Sequence, residues 1–135
     1  MAARFLLDTN ICIYIRRQRP PEVLARFEKL KAGEAMLSVI TYGELLYGAA
    51  KSRQRDIALA QLAELVSFLP VLPLPEDAAH EYGRIRAALE SKGEPIRGND
   101  LWIAAHAKSA GLTLVTNNER EFKRISGIKV RNWTI

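Results

Sequence analysis

Short apolar runs alternate with amphipathic stretches along the chain, the pattern of an α/β sheet whose parallel strands are joined by helices. Phe5-Leu6-Leu7 reads as a buried strand, and Asp8-Thr9-Asn10 offers cap residues for a helix through about Arg16. Pro20-Pro21 opens a second helix with Val23, Leu24, Phe27 and Leu30 on one face, ended by Gly33. Ala35 to Val39 forms a second strand, followed by a helix from about Thr41 to Lys51. Arg55 to Phe68 is helical with a broad apolar surface, so it packs on more than one neighbour. Val71-Leu72-Pro73 is a brief strand bounded by prolines, which places it at a sheet edge. Pro75-Glu76-Asp77 opens a long helix with acids in its first turn, and Lys92-Gly93 closes it. Asn99 caps another helix running from Asp100 to about Ala110, Gly111 stops it, and Leu112 to Thr116 is the clearest strand. A short helix around Glu119 to Arg124 and a last strand at Lys129-Val130-Arg131 complete the series. The expected fold is therefore α/β, with a central parallel sheet of four to five strands flanked by helices on both sides.

Composition narrows the class. At 135 residues, with 48% hydrophobic and 26% charged positions, the chain is expected to fold as one domain over residues 1–135, and disorder is excluded. No repeat, low-complexity tract or linker divides it. The lone Cys12 excludes a disulfide framework and a CxxC metal knuckle, and favours a reducing, cytoplasmic setting. Asp8 interrupts the N-terminus before a secretory apolar region forms. The longest apolar stretch, Val66 to Leu74, is cut by Pro70 and Pro73 and is too short to span a bilayer, so no membrane partner is expected. A net charge of +5 and a pI near 9.6 permit a polyanionic partner without requiring one.

Three acids occupy comparable places. Asp8 follows the first strand, Glu44 lies one turn into the helix after the second, and Asp100 begins the helix leading into the fourth. In an open parallel sheet the carboxyl ends of the strands line the crevice at the topological switch point. Carboxylates converging there repel unless a cation neutralises them, and the hard ion suited to oxygen ligands is Mg²⁺ or Mn²⁺. His80 and His106 are lone residues on helices, so no zinc pattern competes. Each acid also has a purely structural use. Asp8 can form an Asx turn or N-cap, Thr41-x-x-Glu44 and Asn118-x-x-Glu121 match capping boxes, and Asp100 sits in a first helical turn. Spacing alone leaves both readings open.

Four segments together resemble one family. Leu6-Leu7-Asp8-Thr9-Asn10, then Tyr42-Gly43-Glu44-Leu45-Leu46-Tyr47-Gly48, then Asn99-Asp100-Leu101-Trp102-Ile103-Ala104-Ala105-His106-Ala107, then Leu114-Val115-Thr116-Asn117-Asn118-Glu119-Arg120-Glu121-Phe122 stand in the order and spacing of the PIN-domain ribonucleases. The resemblance is closest to the VapC toxins of bacterial toxin–antitoxin pairs and covers essentially the whole chain. It implies a Mg²⁺- or Mn²⁺-dependent endoribonuclease acting on RNA, with a structured RNA such as tRNA as the implied substrate. Asp8, Glu44 and Asp100 are the implied metal ligands, and Glu121 is the implied fourth catalytic acid. Many PIN domains carry an Asp where this chain has Asn118, which the resemblance leaves as a water or substrate contact. Thr9 and Thr116 are implied supports that hydrogen-bond the acids. The implied partners are a VapB-like antitoxin whose tail covers the acidic site, a second toxin copy, and larger toxin–antitoxin assemblies.

Basic residues are the expected substrate contacts. Residues 1–31 hold Arg4, Arg16, Arg17, Arg19, Arg26, Lys29 and Lys31 against Asp8, Glu22 and Glu28. Arg16, Arg17 and Arg19 follow the first helix and Arg97 precedes the Asp100 helix, where each can meet RNA phosphates; Arg120 is a further candidate. Tyr42, Tyr47, Trp102 and Phe122 are expected in the core. The Arg55–Phe68 helix and the Ala78, Tyr82, Ile85 and Leu89 stripe are either core or docking surface. Two rivals remain: a metal-dependent phosphatase on a similar sheet, for which Asp8-Thr9-Asn10 lacks the D-x-D pattern, and a PIN-like RNA-binding scaffold without catalysis, supported only by Asn118. No glycine-rich phosphate loop supports a nucleotide binder.

Overall fold

A computed structural model describes residues 3–135; Met1 and Ala2, where the N-terminal segment begins, lie outside the described residues. Five parallel strands, β1 (Phe5–Leu7), β2 (Ala35–Ser38), β3 (Val71–Leu72), β4 (Thr113–Val115) and β5 (Val130–Arg131), pair in the order β3-β2-β1-β4-β5. Seven helices connect them: α1 (Thr9–Arg17), α2 (Pro21–Glu28), α3 (Val39–Ala50), α4 (Arg55–Phe68), α5 (Asp77–Ser91), α6 (Gly98–Ala110) and α7 (Glu119–Phe122).

The chain winds outward from β1 to β2 and β3, then returns to β4 on the other side of β1. The switch point therefore lies between β1 and β4, whose register sets Leu7 opposite Val115. Strand periodicity sorts the two cores. Leu6 and Leu114 turn to one face and pack with Ile85, Leu89, Ile103 and Phe122 of α5, α6 and α7. Leu7 and Val115 turn to the other and pack with Ile11, Val23, Leu62 and Trp133. Both sheet faces are covered, which explains why the strands read as continuous apolar runs rather than alternating ones.

Several boundaries differ from the sequence expectation. The second helix ends at Glu28 instead of reaching Gly33, which lies in the following turn at φ +88°. Helix α3 starts at Val39, because the Ser38 hydroxyl accepts from the Ile40 amide at 3.1 Å and caps it. Helix α6 starts at Gly98, so Asn99 lies inside its first turn rather than capping it. The α6 stop is as expected: Gly111 takes φ +68°, and Leu112 returns its amide to the Ala107 carbonyl at 2.9 Å. Ala78, Ile85 and Leu89 of α5 are core, and Tyr82 stacks on Trp102 with ring centroids 4.0 Å apart. Tyr47, expected inside, is 67% exposed.

Candidate active site

Asp8 leaves β1 at its carboxyl end and caps α1, its Oδ1 accepting the Ile11 amide at 3.0 Å. Glu44 comes from α3, Asp100 from the first turn of α6, and Asn118 from the residues after β4. With Thr9, Asn10, Arg97 and Phe122 they line one cavity of about 220 Å³ at the switch point. Asp8 is both cap and cavity wall, so its structural and functional readings are not alternatives.

The site is electrostatically unbalanced. Burial pushes Asp8 up to about 6 from the ordinary 3.8, and the carboxylates of Asp100 and Glu44 add to the rise. The Thr116 hydroxyl and the Ile11 amide oppose it. Asp100 is also raised, first by burial and then by Glu121 and Glu44, while Arg97 pulls it down. A cluster of partly desolvated acids that repel one another has the donor chemistry of a hard divalent cation site.

Glu44 is not in a capping box. One of its carboxylate oxygens accepts from the Thr9 hydroxyl and the other from Asn99 Nδ2 at 3.4 Å. The competing capping reading fails because the cap of α3 is Ser38, three residues before Thr41, and Thr41 is already within the first turn. Asn118 Nδ2 donates to Glu121 at 3.0 Å, and the Asn118 amide donates to the Thr116 hydroxyl at 3.0 Å. The other Glu121 oxygen, Oε1, is buried without a hydrogen-bond partner among the described residues. Glu121 faces Asp100 electrostatically but does not line the 220 Å³ cavity. Among the described residues no three His, Cys, Asp or Glu side chains are grouped tightly enough to hold an ion between them. Thr9 and Asn99 hold Glu44 by both oxygens, so Asp8, Glu44 and Asp100 share one cavity without closing around a common point. Magnesium often takes only one or two protein carboxylates and keeps several waters, so the arrangement still fits it.

The basic candidates separate. Arg97 lines the site cavity, and Arg16 lines an adjoining cleft of about 270 Å³ that shares Thr9 and Glu44. Arg17, the last residue of α1, and Arg19, just beyond it, are exposed and line neither space.

Three features escaped the sequence reading. Asn10 donates to Asn117 at 3.3 Å and Asn117 to the Tyr14 hydroxyl at 2.9 Å, joining α1 to the exit of β4. Asn99 holds Glu44. The third is a buried Ser38–His106 pair, Oγ to Nδ1 at 2.8 Å. It has the atoms of a nucleophile and a base, but both residues are essentially inaccessible, at 0% and 1% exposure. The Ser38 hydroxyl accepts from Ile40 and is also hydrogen-bonded to Nδ1 of His106, whose pKa burial lowers. The pair joins α6 to the cap of α3. Burial likewise raises the Cys12 thiol, leaving it no nucleophile.

A family model described as PIN domain matches residues 5–128. The chain belongs to the PIN-domain family. Within it this PIN domain is similar to the VapC proteins: it is 45% identical over 131 residues to Ribonuclease VapC2 of Haemophilus influenzae, covering 96% of this chain and 98% of that one. It is 43% identical to the tRNA(fMet)-specific endonuclease VapC of Shigella flexneri, over 97% and 98% of the two chains. The DNA-bound VapBC structure from Salmonella typhimurium superposes with a TM-score of 0.91 at 44% identity, covering 97% of this PIN domain and 98% of that chain. The five-stranded parallel sheet is thus the family's fold.

Because Thr9 is the hydroxyl that fixes Glu44, Thr9→Ala is expected to lower the PIN domain's cleavage rate about 10–100-fold while leaving it folded. Rates under single-turnover conditions, with circular dichroism as the folding control, check this.

Proposed function

We propose that this chain is the toxin of a toxin–antitoxin pair, an endoribonuclease that hydrolyses RNA phosphodiester bonds with Mg²⁺ or Mn²⁺ and is held inactive by a VapB-like antitoxin. The observation that carries the reading is the convergence of Asp8, Glu44 and Asp100, from three elements far apart in sequence, on one cavity at the β1–β4 switch point. Relatives named for ribonuclease and tRNA(fMet)-specific endonuclease activity support RNA, and tRNA in particular, as the substrate. Solved complexes of VapBC support the antitoxin partner.

Asp8 and Asp100 would hold the cation directly, with Glu44 acting through water from its Thr9 and Asn99 tether. When bound, the ion supplies charge stabilisation at the phosphate and lowers the pKa of water. The chain's own groups do the positioning. The Ile11 amide and Thr116 hydroxyl fix Asp8, Arg97 stands beside Asp100 as the cation nearest an incoming phosphate, and Asn118 orients Glu121. Phe122, 1% exposed, closes the apolar wall and keeps the carboxylates partly out of water.

Purified protein is expected to cleave tRNA in Mg²⁺ or Mn²⁺, to stop in EDTA, and to lose several orders of magnitude in rate on Asp100→Asn. Undiminished cleavage by that variant in EDTA would remove the carboxylate site and the mechanism with it. Added cognate antitoxin is expected to suppress cleavage by the wild-type chain.

A further inference from the structure

We infer that the cleft between α5 and the segment after α7 is a second RNA-binding site, which takes backbone phosphates of the substrate beyond the cavity that cuts it. The inference rests on the ribonuclease reading and names a part of that substrate's path. Four cations, Arg84, Lys92, Lys108 and Arg124, line a cleft of about 230 Å³ with Ile85 and Ile125 on its floor, and no acid lines it. Glu81 stands close by and offsets one charge, bonding Arg84 at 2.8 Å and reaching Lys108 at 4.0 Å. Lys92 and Arg124 have no ion-pair partner among the described residues. The excess is therefore about three positive charges over a patch of apolar surface, which suits phosphates with ribose and base against the floor.

Two of these cations are held in place. Arg124 donates to the Pro95 carbonyl at 3.4 Å, so its guanidinium is tied to the loop that precedes α6. Lys108 packs under Gly127, where a Cβ would come within 3.0 Å of Nζ; Gly127 also takes φ +80°, which disfavours any side chain. A held cation loses less freedom on meeting a phosphate than a loose surface lysine does.

Neighbouring stretches of chain line the cleft and the catalytic cavity, with α7 and the loop before α6 forming the wall between them. Asn118 and Phe122 face the cavity while Arg124 and Ile125, directly after α7, face the cleft. The loop before α6 is shared in the same way, with Arg97 on the cavity and Pro95 holding Arg124. One RNA strand crossing this wall would meet Arg97 on one side and Arg124 and Lys92 on the other.

The test uses the full chain with the double substitution Lys92→Gln and Arg124→Gln, compared on tRNA and on a tetranucleotide too short to cross the wall. On tRNA, KM is expected to rise about tenfold with kcat unchanged, and on the tetranucleotide neither is expected to change. Binding of tRNA in EDTA, followed against KCl, is expected to lose about 1.4 from its log–log salt slope, twice the roughly 0.7 per phosphate of single strands. An unchanged KM and slope on tRNA overturns the site, as does an equal loss on the tetranucleotide, or binding of polyglutamate in preference to RNA. If the wild-type chain cuts neither RNA while the slope still falls, the ribonuclease reading fails and the cleft stands.

Discussion

Asp8→Asn is expected to abolish cleavage and at the same time make the cation-free protein more stable. The folded pKa of Asp8, about 6, lies above its ordinary 3.8, so the folded chain binds the proton more tightly than the unfolded one. The stability this group contributes is fully present below about pH 4 and is lost as pH rises through about 6. At pH 7.5 the loss is about 3 kcal/mol, from about two pKa units at 1.36 kcal/mol each. Asn removes that cost and keeps the helix cap, since its side-chain oxygen can accept the Ile11 amide as Asp8 does. Losing the negative charge at the start of α1 costs only about 0.3–1 kcal/mol, so relief wins. In EDTA at pH 7.5 the variant is expected to melt roughly 10 °C above wild type, the gap closing by pH 4. Saturating Mg²⁺ is expected to narrow the gap at pH 7.5 by favouring ionised Asp8, and its affinity to weaken below pH 6. Melting curves across pH, with and without the cation, check all of this. A wild type as stable as the variant in EDTA at pH 7.5 would show that Asp8 carries no such strain.

The second large effect is expected at Ser38→Ala. The substitution removes the cap of α3, worth about 1 kcal/mol, and leaves His106 Nδ1 buried without its hydrogen-bond partner, which costs a further 1–3 kcal/mol. Roughly 10 °C in melting temperature follows. Because the pair links the helix that carries Glu44 to the helix that carries Asp100, the surviving folded protein is expected to cleave more slowly with little change in KM. His106→Asn, which can still offer an acceptor oxygen, is expected to retain more activity than His106→Phe. Equal activity in the two would reduce the pair to packing. Nitrogen-15 shifts of His106 provide an independent reading, with Nδ1 expected unprotonated at neutral pH.

The sheet was legible from the chain because Phe5-Leu6-Leu7 is an unbroken apolar run and Leu112 to Thr116 a run rich in Leu and β-branched residues, both too short for helices. The edge position of β3 followed from Pro70 and Pro73, which cannot donate to a ladder. Asp8, Glu44 and Asp100 were legible as strand-end acids, and their convergence is what the topology adds. The orientation of Glu44 was not, because Thr41-x-x-Glu44 is a sound capping box until Ser38 caps the helix earlier. Nor was Asn99, whose residue type suits a cap; its bond to Glu44 crosses 55 positions and leaves no local pattern. Ser38 and His106 are separated by 68 positions and belong to different elements, so only the packed fold reveals the pair. Arg17 and Arg19 show what a charge run leaves open: it fixes composition but not placement, and these two exposed residues line neither cleft.

The carboxylate that closes the first turn of α1 is also a wall of the cavity, so one proton records events at both. The Ile11 amide hydrogen is bonded to that carboxylate and lies in a residue with no exposed surface. Protonation of Asp8 or a cation drawing on its oxygens changes the acceptor this hydrogen sees. Its exchange rate and chemical shift therefore form a built-in gauge of the site's occupancy, readable in the intact chain without substrate, label or mutation.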